Sequence, residues 1–387
     1  MQRLEISLQQ KKIASEIRIG RGIRQQVGQA ISNASGLNPR RIALISNKRV
    51  FSLYGGKVLK GLKKEGFDVY PWLIGDGERF KSFRTLQTTL DQLGDTGFER
   101  NDLVVALGGG VVGDLAGFAA AVYLRGVSLV QLPTTLLSQI DSSVGGKTGI
   151  NLTVGKNMVG AFHQPNLVLI DPETLVTLPR RELVAGFCEM VKQSLVADRS
   201  LFDRTVNFLR TAKNSSDFLL SAELEELITA HCAFKASIVA NDERESTDRS
   251  DSKSRRVLNF GHTTAHALES ITNYRKFRHG EAVGYGMLVA GELSKNLGLL
   301  DPGELELLRE AVQLCGSRPR ADKLDLNEIM RALEHDKKSV GGQINWVLLE
   351  GVGLPKIVEG KLISKKVLRL SLRAGLQPNP RQKESSY

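Results

Sequence analysis

Five short runs dominated by apolar residues recur through the first half of the chain, at Arg41–Ser46, Asp68–Ile74, Asp102–Leu107, Val127–Leu132 and Leu167–Ile170. Between them lie stretches with helical periodicity, such as Thr85–Leu93 and Leu115–Tyr123. Strands that are apolar on both faces belong in a parallel sheet with helices on each side. The alternation therefore restricts this half to an α/β, doubly wound, Rossmann-like sheet. After Leu178 long helical patterns take over, at Arg181–Val196, Leu219–Ala240, His262–Ser270, Ala282–Leu297 and Leu305–Cys315, with one more strand pattern at Ile344–Leu349. The expected organisation is an α/β domain over residues 1–178 and a mostly α-helical domain over 179–387, with the active site between them. A chain of 387 residues is long enough for two such cores.

Other classes fit poorly. No apolar run reaches the roughly 18–20 residues that span a bilayer, and residues 1–20 alternate rather than form the apolar block of a secretion signal. The three cysteines, Cys188, Cys232 and Cys315, have no CxxC spacing, which argues against a disulfide framework or a cysteine-based zinc site. A cytoplasmic protein with no membrane partner is expected. The net charge of +11 invites a nucleic-acid reading, but the basic residues are spread along the chain or gathered in the tail and are not interleaved with aromatics, which make up 6%. No nucleic-acid partner is expected; an anionic substrate and cofactor fit the charge. The one low-complexity stretch, Glu243–Arg256, reads as a polar loop.

Three constellations carry chemistry. The first is Ala106–Asp114, which follows an apolar strand and opens a helix, with Gly108, Gly110 and Gly113 at GxGxxG spacing. Glycines let backbone approach a pyrophosphate, and the helix start offers free N–H groups. The spacing is weak alone and gains from its strand–turn–helix context. Asp76-Gly77-Glu78 after an earlier strand could hold ribose hydroxyls, and Pro133-Thr134-Thr135 lies at the strand end where such sheets bind ligands.

The second constellation is Asp141–Asn151 with Gly155-Lys156-Asn157. Gly146-Lys147-Thr148 resembles the end of a P-loop, but the glycine that motif needs is Asp141 here. The stretch reads as a glycine-rich loop with two lysines and an asparagine, suited to phosphate or carboxylate oxygens.

The third constellation is histidine-based. Of six histidines, His262, His266 and His279 fall close together, and Glu189 sits in an apolar helical stretch with Lys192 on the same face. A carboxylate and two or three imidazoles suit a catalytic Zn²⁺. The spacing leaves open whether His262 and His266 both ligate or one does acid–base work.

Taken together these stretches resemble the dehydroquinate synthase family. The likeness runs densely from Asp76 to Val283, including Asp76–Lys81, Ala106–Phe118, Arg125-Gly126, Pro133–Thr135, Asp141–Asn151, Leu258–Thr263 and His279–Val283, and reaches Asp336–Lys338. The resemblance implies an NAD- and divalent-metal-dependent enzyme, with Zn²⁺ or Co²⁺, acting on a phosphorylated seven-carbon sugar acid. The resemblance also implies a homodimer in which Arg125 reaches a neighbouring subunit's site. The resemblance implies metal ligation by Glu189, His262 and His279. It implies NAD contacts from Asp76, Gly77, Glu78, Lys81, Gly110, Val111, Val112, Gly113, Asp114, Thr134, Thr135, Lys147, Lys156, Thr174 and Thr177. Substrate contacts are implied for Arg125, Asp141, Lys147, Asn157, Lys192, Arg255, Asn259, His266 and Lys337 or Lys338. Catalytic roles fall to Lys192, Lys235, Asn259 and His266. The chain departs from the family's usual residues at Leu152-Thr153, where His-Pro is common, and at Cys188–Ser194, where Ala-Glu-Val-Ile-Lys-Tyr-Gly is common. The stretch before Arg255 is also longer. A cyclase acting on another sugar phosphate is the nearest alternative, followed by a metal-dependent polyol dehydrogenase.

Overall fold

The structure is a computed structural model; it describes residues 15–153, 155–212, 217–339 and 345–377, with residues 335–339 described for backbone only. Two compact units form, one comprising residues 15–18, 23–132 and 146–170, the other residues 19–22, 133–145 and 171 onward.

The first unit is built on a six-stranded sheet of β1 (Glu16–Ile19), β2 (Arg41–Asn47), β3 (Asp68–Ile74), β4 (Leu103–Gly108), β5 (Ser128–Pro133) and β8 (Leu167–Ile170), in the order β1-β8-β5-β4-β2-β3. The pairs β2–β3, β2–β4 and β5–β8 are parallel. Because side chains alternate along a strand, the apolar runs supply two cores. Ile42, Leu44, Leu103, Val105 and Leu107 join one, with Val58 and Leu62 of α1 (Gly56–Lys64). Ala43, Ile45, Val104 and Ala106 join the other, with Leu93 of α2 (Phe83–Asp95) and Val112 and Ala116 of α3 (Gly110–Val122).

The glycine-rich loop expected around Lys147 and Lys156 is instead an antiparallel hairpin of β6 (Lys147–Leu152) and β7 (Gly155–Phe162). Its glycines permit close approach: a Cβ on Gly160 would overlap the Thr148 carbonyl oxygen, and one on Gly117 of α3 would lie 2.5 Å from Thr148 Cγ2.

The second unit is mostly helical, with α4 (Arg180–Ala197), α5 (Arg199–Ala212), α6 (Ala222–Asn241), α7 (His262–Ile271), α8 (His279–Asn296), α9 (Pro302–Leu314), α10 (Leu326–Ser339) and α11 (Lys365–Gly375). A hairpin of β9 (Asn345–Gly351) and β10 (Leu354–Glu359) completes it. Among the described residues no helix is long and apolar enough to cross a membrane.

Helix α8 is buried on nearly every side, and its packing rests on two glycines. A Cβ on Gly280 would overlap the Ala185 carbonyl oxygen of α4, and one on Gly286 would overlap the carbonyl oxygen of Gly261, just before α7. Arg181 of α4 adds a two-point contact with Glu281, at 2.8 and 2.6 Å. Glu281 also accepts from the Arg278 N–H at 2.7 Å and so caps the start of α8.

In an exposed helix, alanine is favoured over glycine by about 0.8–1 kcal/mol. Gly286→Ala should do the reverse and destabilise by about 1–3 kcal/mol, the range for overpacking. Urea unfolding measures this; a more stable variant would mean the α7–α8 contact is not close.

Candidate active site

Helix α4 presents Glu189 and Lys192 on one buried face. Helix α7 begins at His262, directly after Gly261 in the left-handed region (φ 79°), and carries His266 one turn on. Helix α8 begins at His279. The ring centres of His262 and His279 lie 5.1 Å apart, and those of His262 and His266 5.6 Å. Ligating atoms of Glu189, His262 and His279 all fall within 4.8 Å of one another, as do those of His266, Glu269 and His279.

The first of these sets suits a metal. Glu189 is 0% exposed, and neither of its carboxylate oxygens accepts a hydrogen bond. Lys192 Nζ lies 2.7 Å from Oε2, an ion pair outside hydrogen-bond geometry. Lys192 offsets the charge of this buried carboxylate, and its remaining lone pairs are available to a metal. His279 Nε2 lies 3.5 Å from Glu189 Oε1. Burial, and then Lys192, hold His262 well below the usual histidine pKa, so its ring is neutral and can donate a lone pair. One carboxylate with two imidazoles fits Zn²⁺ or Co²⁺.

Sequence reasoning missed Glu269. Its Oε2 lies 3.2 Å from His279 Nδ1, on the side of the ring away from Glu189. A carboxylate there holds the proton on Nδ1 and leaves Nε2 as the ligating atom. The available signal was an acid in an apolar helical stretch, three residues beyond His266.

Asp141 and Lys235 form a second cluster. Asp141 lies on a single π-helical turn, Ser138–Ser142, and Lys235 on α6. Lys235 Nζ donates to Asp141 Oδ1 at 2.5 Å and to its carbonyl oxygen. Burial opposes ionisation of Asp141, but Lys235 and Lys192 outweigh it and hold the carboxyl far below the usual range. Burial lowers the Lys235 pKa despite Asp141. For Lys192 the balance is opposite: Glu189 and Asp141 overcome burial and raise it. Behind Asp141, Gln193 Nε2 donates to the Ile140 carbonyl at 3.0 Å, and Gln193 Oε1 lies 3.1 Å from His231 Nδ1.

The polar stretch before Arg255 is an ordered set of turns. Asp242 accepts from the Ser246 and Arg255 N–H groups, each at 2.9 Å. The Arg255 guanidinium donates to the carbonyl oxygens of Glu243 at 2.6 Å and Gly145 at 2.9 Å. Asn259 donates to Glu245 at 2.7 Å, and His266 is exposed.

In the first unit, Lys81 bridges Asp114, at the start of α3, and Asn157 of β7. Asn157 has a positive φ of 56° and receives support from Asn151, whose side chain also donates to Glu78 at 2.8 Å. Asp76 accepts from Asn47 at 3.1 Å. Gly110 opens α3 behind an extended Gly109, followed by Val111, Val112 and Gly113. Lys147 and Lys156 stand on the hairpin strands. Arg125 is exposed on a turn where it and Leu124 both have positive φ. In the second unit, Thr134 and Thr174 are buried, Thr135 pairs with Ser138, and Thr177 is exposed. The side chains of Lys337 and Lys338 lie outside the described residues.

Comparison with known proteins assigns the family. The family model described as 3-dehydroquinate synthase N-terminal matches residues 72–185, and that described as 3-dehydroquinate synthase C-terminal matches residues 186–339. The chain belongs to the 3-dehydroquinate synthase family. A relative from Thermodesulfovibrio yellowstonii, named 3-dehydroquinate synthase, is 40% identical over 359 residues, covering 92% of this chain and 96% of that protein. One of the same name from Cyanothece sp. is 41% identical over 339 residues, covering 86% and 89%. Among solved structures, 2-epi-5-epi-valiolone synthase from Streptomyces hygroscopicus, with NAD⁺ and Zn²⁺ bound, is similar with a TM-score of 0.83 at 26% identity, covering 95% of this chain and 98% of that one. A 2-deoxy-scyllo-inosose synthase complexed with carbaglucose-6-phosphate, NAD⁺ and Co²⁺ is similar with a TM-score of 0.79 at 25% identity, covering 94% and 96%. The family, the α/β fold and the enzymatic class expected from the sequence are thereby shown.

Burial pushes His231 down to about 3 from an ordinary 6.5. Its folded state is the neutral one, so its contribution to stability is complete above the ordinary value and is lost as pH falls toward the folded one. The slope approaches about 1.4 kcal/mol per pH unit. Urea unfolding from about pH 7 to about pH 4 should show a shallower decline in His231→Gln; an unchanged slope would mean the ring is not held neutral.

Proposed function

We propose that the chain is a 3-dehydroquinate synthase, converting 3-deoxy-D-arabino-heptulosonate 7-phosphate into 3-dehydroquinate and phosphate in aromatic amino acid biosynthesis. The observation that carries this reading is the buried Glu189 carboxylate, whose ligating atoms lie within 4.8 Å of those of His262 and His279, in a chain of this family. The enzyme uses NAD and a divalent metal, as its family and the bound groups of the similar cyclases support.

Bound NAD⁺ supplies reversible hydride acceptance and the bound metal polarises a substrate hydroxyl, which together permit transient oxidation, phosphate elimination, re-reduction and aldol ring closure. Glu189, His262 and His279 hold the metal, and Glu269 fixes the His279 ring. Asp76 to Lys81 and Gly110 to Asp114, with Thr134, Thr135, Lys147, Lys156, Thr174 and Thr177, hold the dinucleotide. Lys192, whose ammonium is kept charged by Glu189 and Asp141, binds phosphate oxygens, as do Asn157 and His266. Asp141, anionic through Lys235, accepts from a substrate hydroxyl, and Asn259 donates to another. Arg255 and Lys147 bind the carboxylate, and Lys337 or Lys338 completes the contacts. Arg125, exposed on its left-handed turn, is assigned to the site of a second copy in a homodimer. The cytoplasm is the proposed compartment, in keeping with three unpaired, buried cysteines.

Phosphate release from the heptulosonate phosphate, with NAD and Zn²⁺, tests the reading. Arg255→Ala should lower kcat/KM by about a hundredfold, as expected when a buried charge-paired contact is lost. Release from glucose 6-phosphate but not from the heptulosonate would favour the other cyclase.

Glu269→Gln should weaken Co²⁺ binding by about 10–100-fold, the range for outer-shell partners of a histidine ligand. Competition against a chelator, read by Co²⁺ absorption, measures it; an unaltered affinity would remove Glu269 from the site.

A further inference from the structure

We infer that Gln193 and His231 are positioning residues that set the Asp141 carboxylate for substrate, and this rests on the function proposed above. Neither residue is assigned a role by the family resemblance, and Gln193 stands where the family commonly carries tyrosine.

The hydrogen-bond roles can be deduced one after another. The terminal atom of Gln193 that lies 3.0 Å from the Ile140 carbonyl and 3.4 Å from Asp141 Oδ1 faces two acceptors, so it is the nitrogen. Its oxygen must then accept, and the atom opposite is His231 Nδ1 at 3.1 Å. Nδ1 therefore carries the proton. The ring is fully buried and neutral, so Nε2 is bare; the Thr205 hydroxyl 3.2 Å away shares its one hydrogen between Nε2 and the Leu201 carbonyl, which lies at 2.7 Å. Thr205 lies on α5, His231 on α6 and Gln193 on α4, so three helices contribute to one directed chain.

The chain ends on the turn that bears Asp141. Gln193 ties down the peptide just before it, and Lys235 donates to both its carbonyl and Oδ1. The neighbouring Gln139 anchors the same turn by donating to the Asp171 carbonyl at 3.1 Å and Thr174 Oγ1 at 3.0 Å. With Oδ1 engaged by Lys235 and Gln193, Oδ2 is the acceptor directed to substrate. Without His231, the Gln193 oxygen loses its donor. The amide can then rotate, and the Asp141 turn loses one of its fixed points.

The test is steady-state phosphate release from the heptulosonate phosphate by the NAD- and Zn²⁺-loaded enzyme, with thermal unfolding of each variant. His231→Phe and Gln193→Met should each raise KM about tenfold, the equivalent of about 1.4 kcal/mol, with kcat within about twofold. His231→Gln, which restores a donor toward Gln193, should keep the wild-type KM. Gln193→Met preserves length and shape, and decides the matter if His231→Phe does not fold. Folded variants with lowered Tm but wild-type KM would show a role in stability alone and overturn the positioning role. A wild-type enzyme that releases no phosphate from the heptulosonate would overturn the proposed function, and this inference with it.

Discussion

The second unit depends on how closely backbone can approach backbone along α8. At Gly280 and Gly286 the neighbouring chain comes so near that no side chain fits. These contacts set the distances among α4, α7 and α8, and those helices carry Glu189, His262 and His279. A packed interior transmits a shift of a fraction of an ångström, because its side chains interdigitate with few voids. The Arg181–Glu281 pair adds direction to the same junction, since Glu281 also closes the first turn of α8, where His279 stands.

The site so assembled is dense in buried charge. Glu189, Lys192 and Lys235 are buried and Asp141 is half-buried, paired as Lys192 with Glu189 and Lys235 with Asp141, an arrangement that favours function over stability. Burial alone would favour the neutral forms of Asp141, Lys192 and Lys235. Mutual attraction reverses this for Asp141 and for Lys192 and leaves Lys235 lowered. An ammonium kept charged and a carboxylate kept anionic are what recognition of a polyhydroxylated phosphate requires. The neutral His231 network behind Asp141 adds orientation without adding charge.

Much of the fold was legible because local pattern and tertiary environment agree. Runs such as Arg41–Ser46 can hardly be anything but two-faced strands, and their alternate residues fill two cores. The hairpin of β6 and β7 was not legible. Gly149 read as a loop residue, yet in the structure it and Gly160 let two strands press together. In the site, histidine spacing and the carboxylate of an apolar helix drew attention to residues that the structure brings together. Glu269 and the Gln193–His231 pair escaped, because their meaning lies in contacts between separate elements. Gln193 and His231 are 38 positions apart, and nothing in either local sequence announces the other.

The way the chain threads its two units has a consequence on the ribosome. Residues 133–145 belong with the unit completed from residue 171 onward, while the residues on either side of them belong to the first unit. As synthesis proceeds, the sheet's strands emerge and pair while the turn bearing Asp141 awaits partners not yet made. Its restraints, Gln193 and Lys235, arrive many residues later. The Asp141 carboxylate gains its partners only once α4 and α6 have been made.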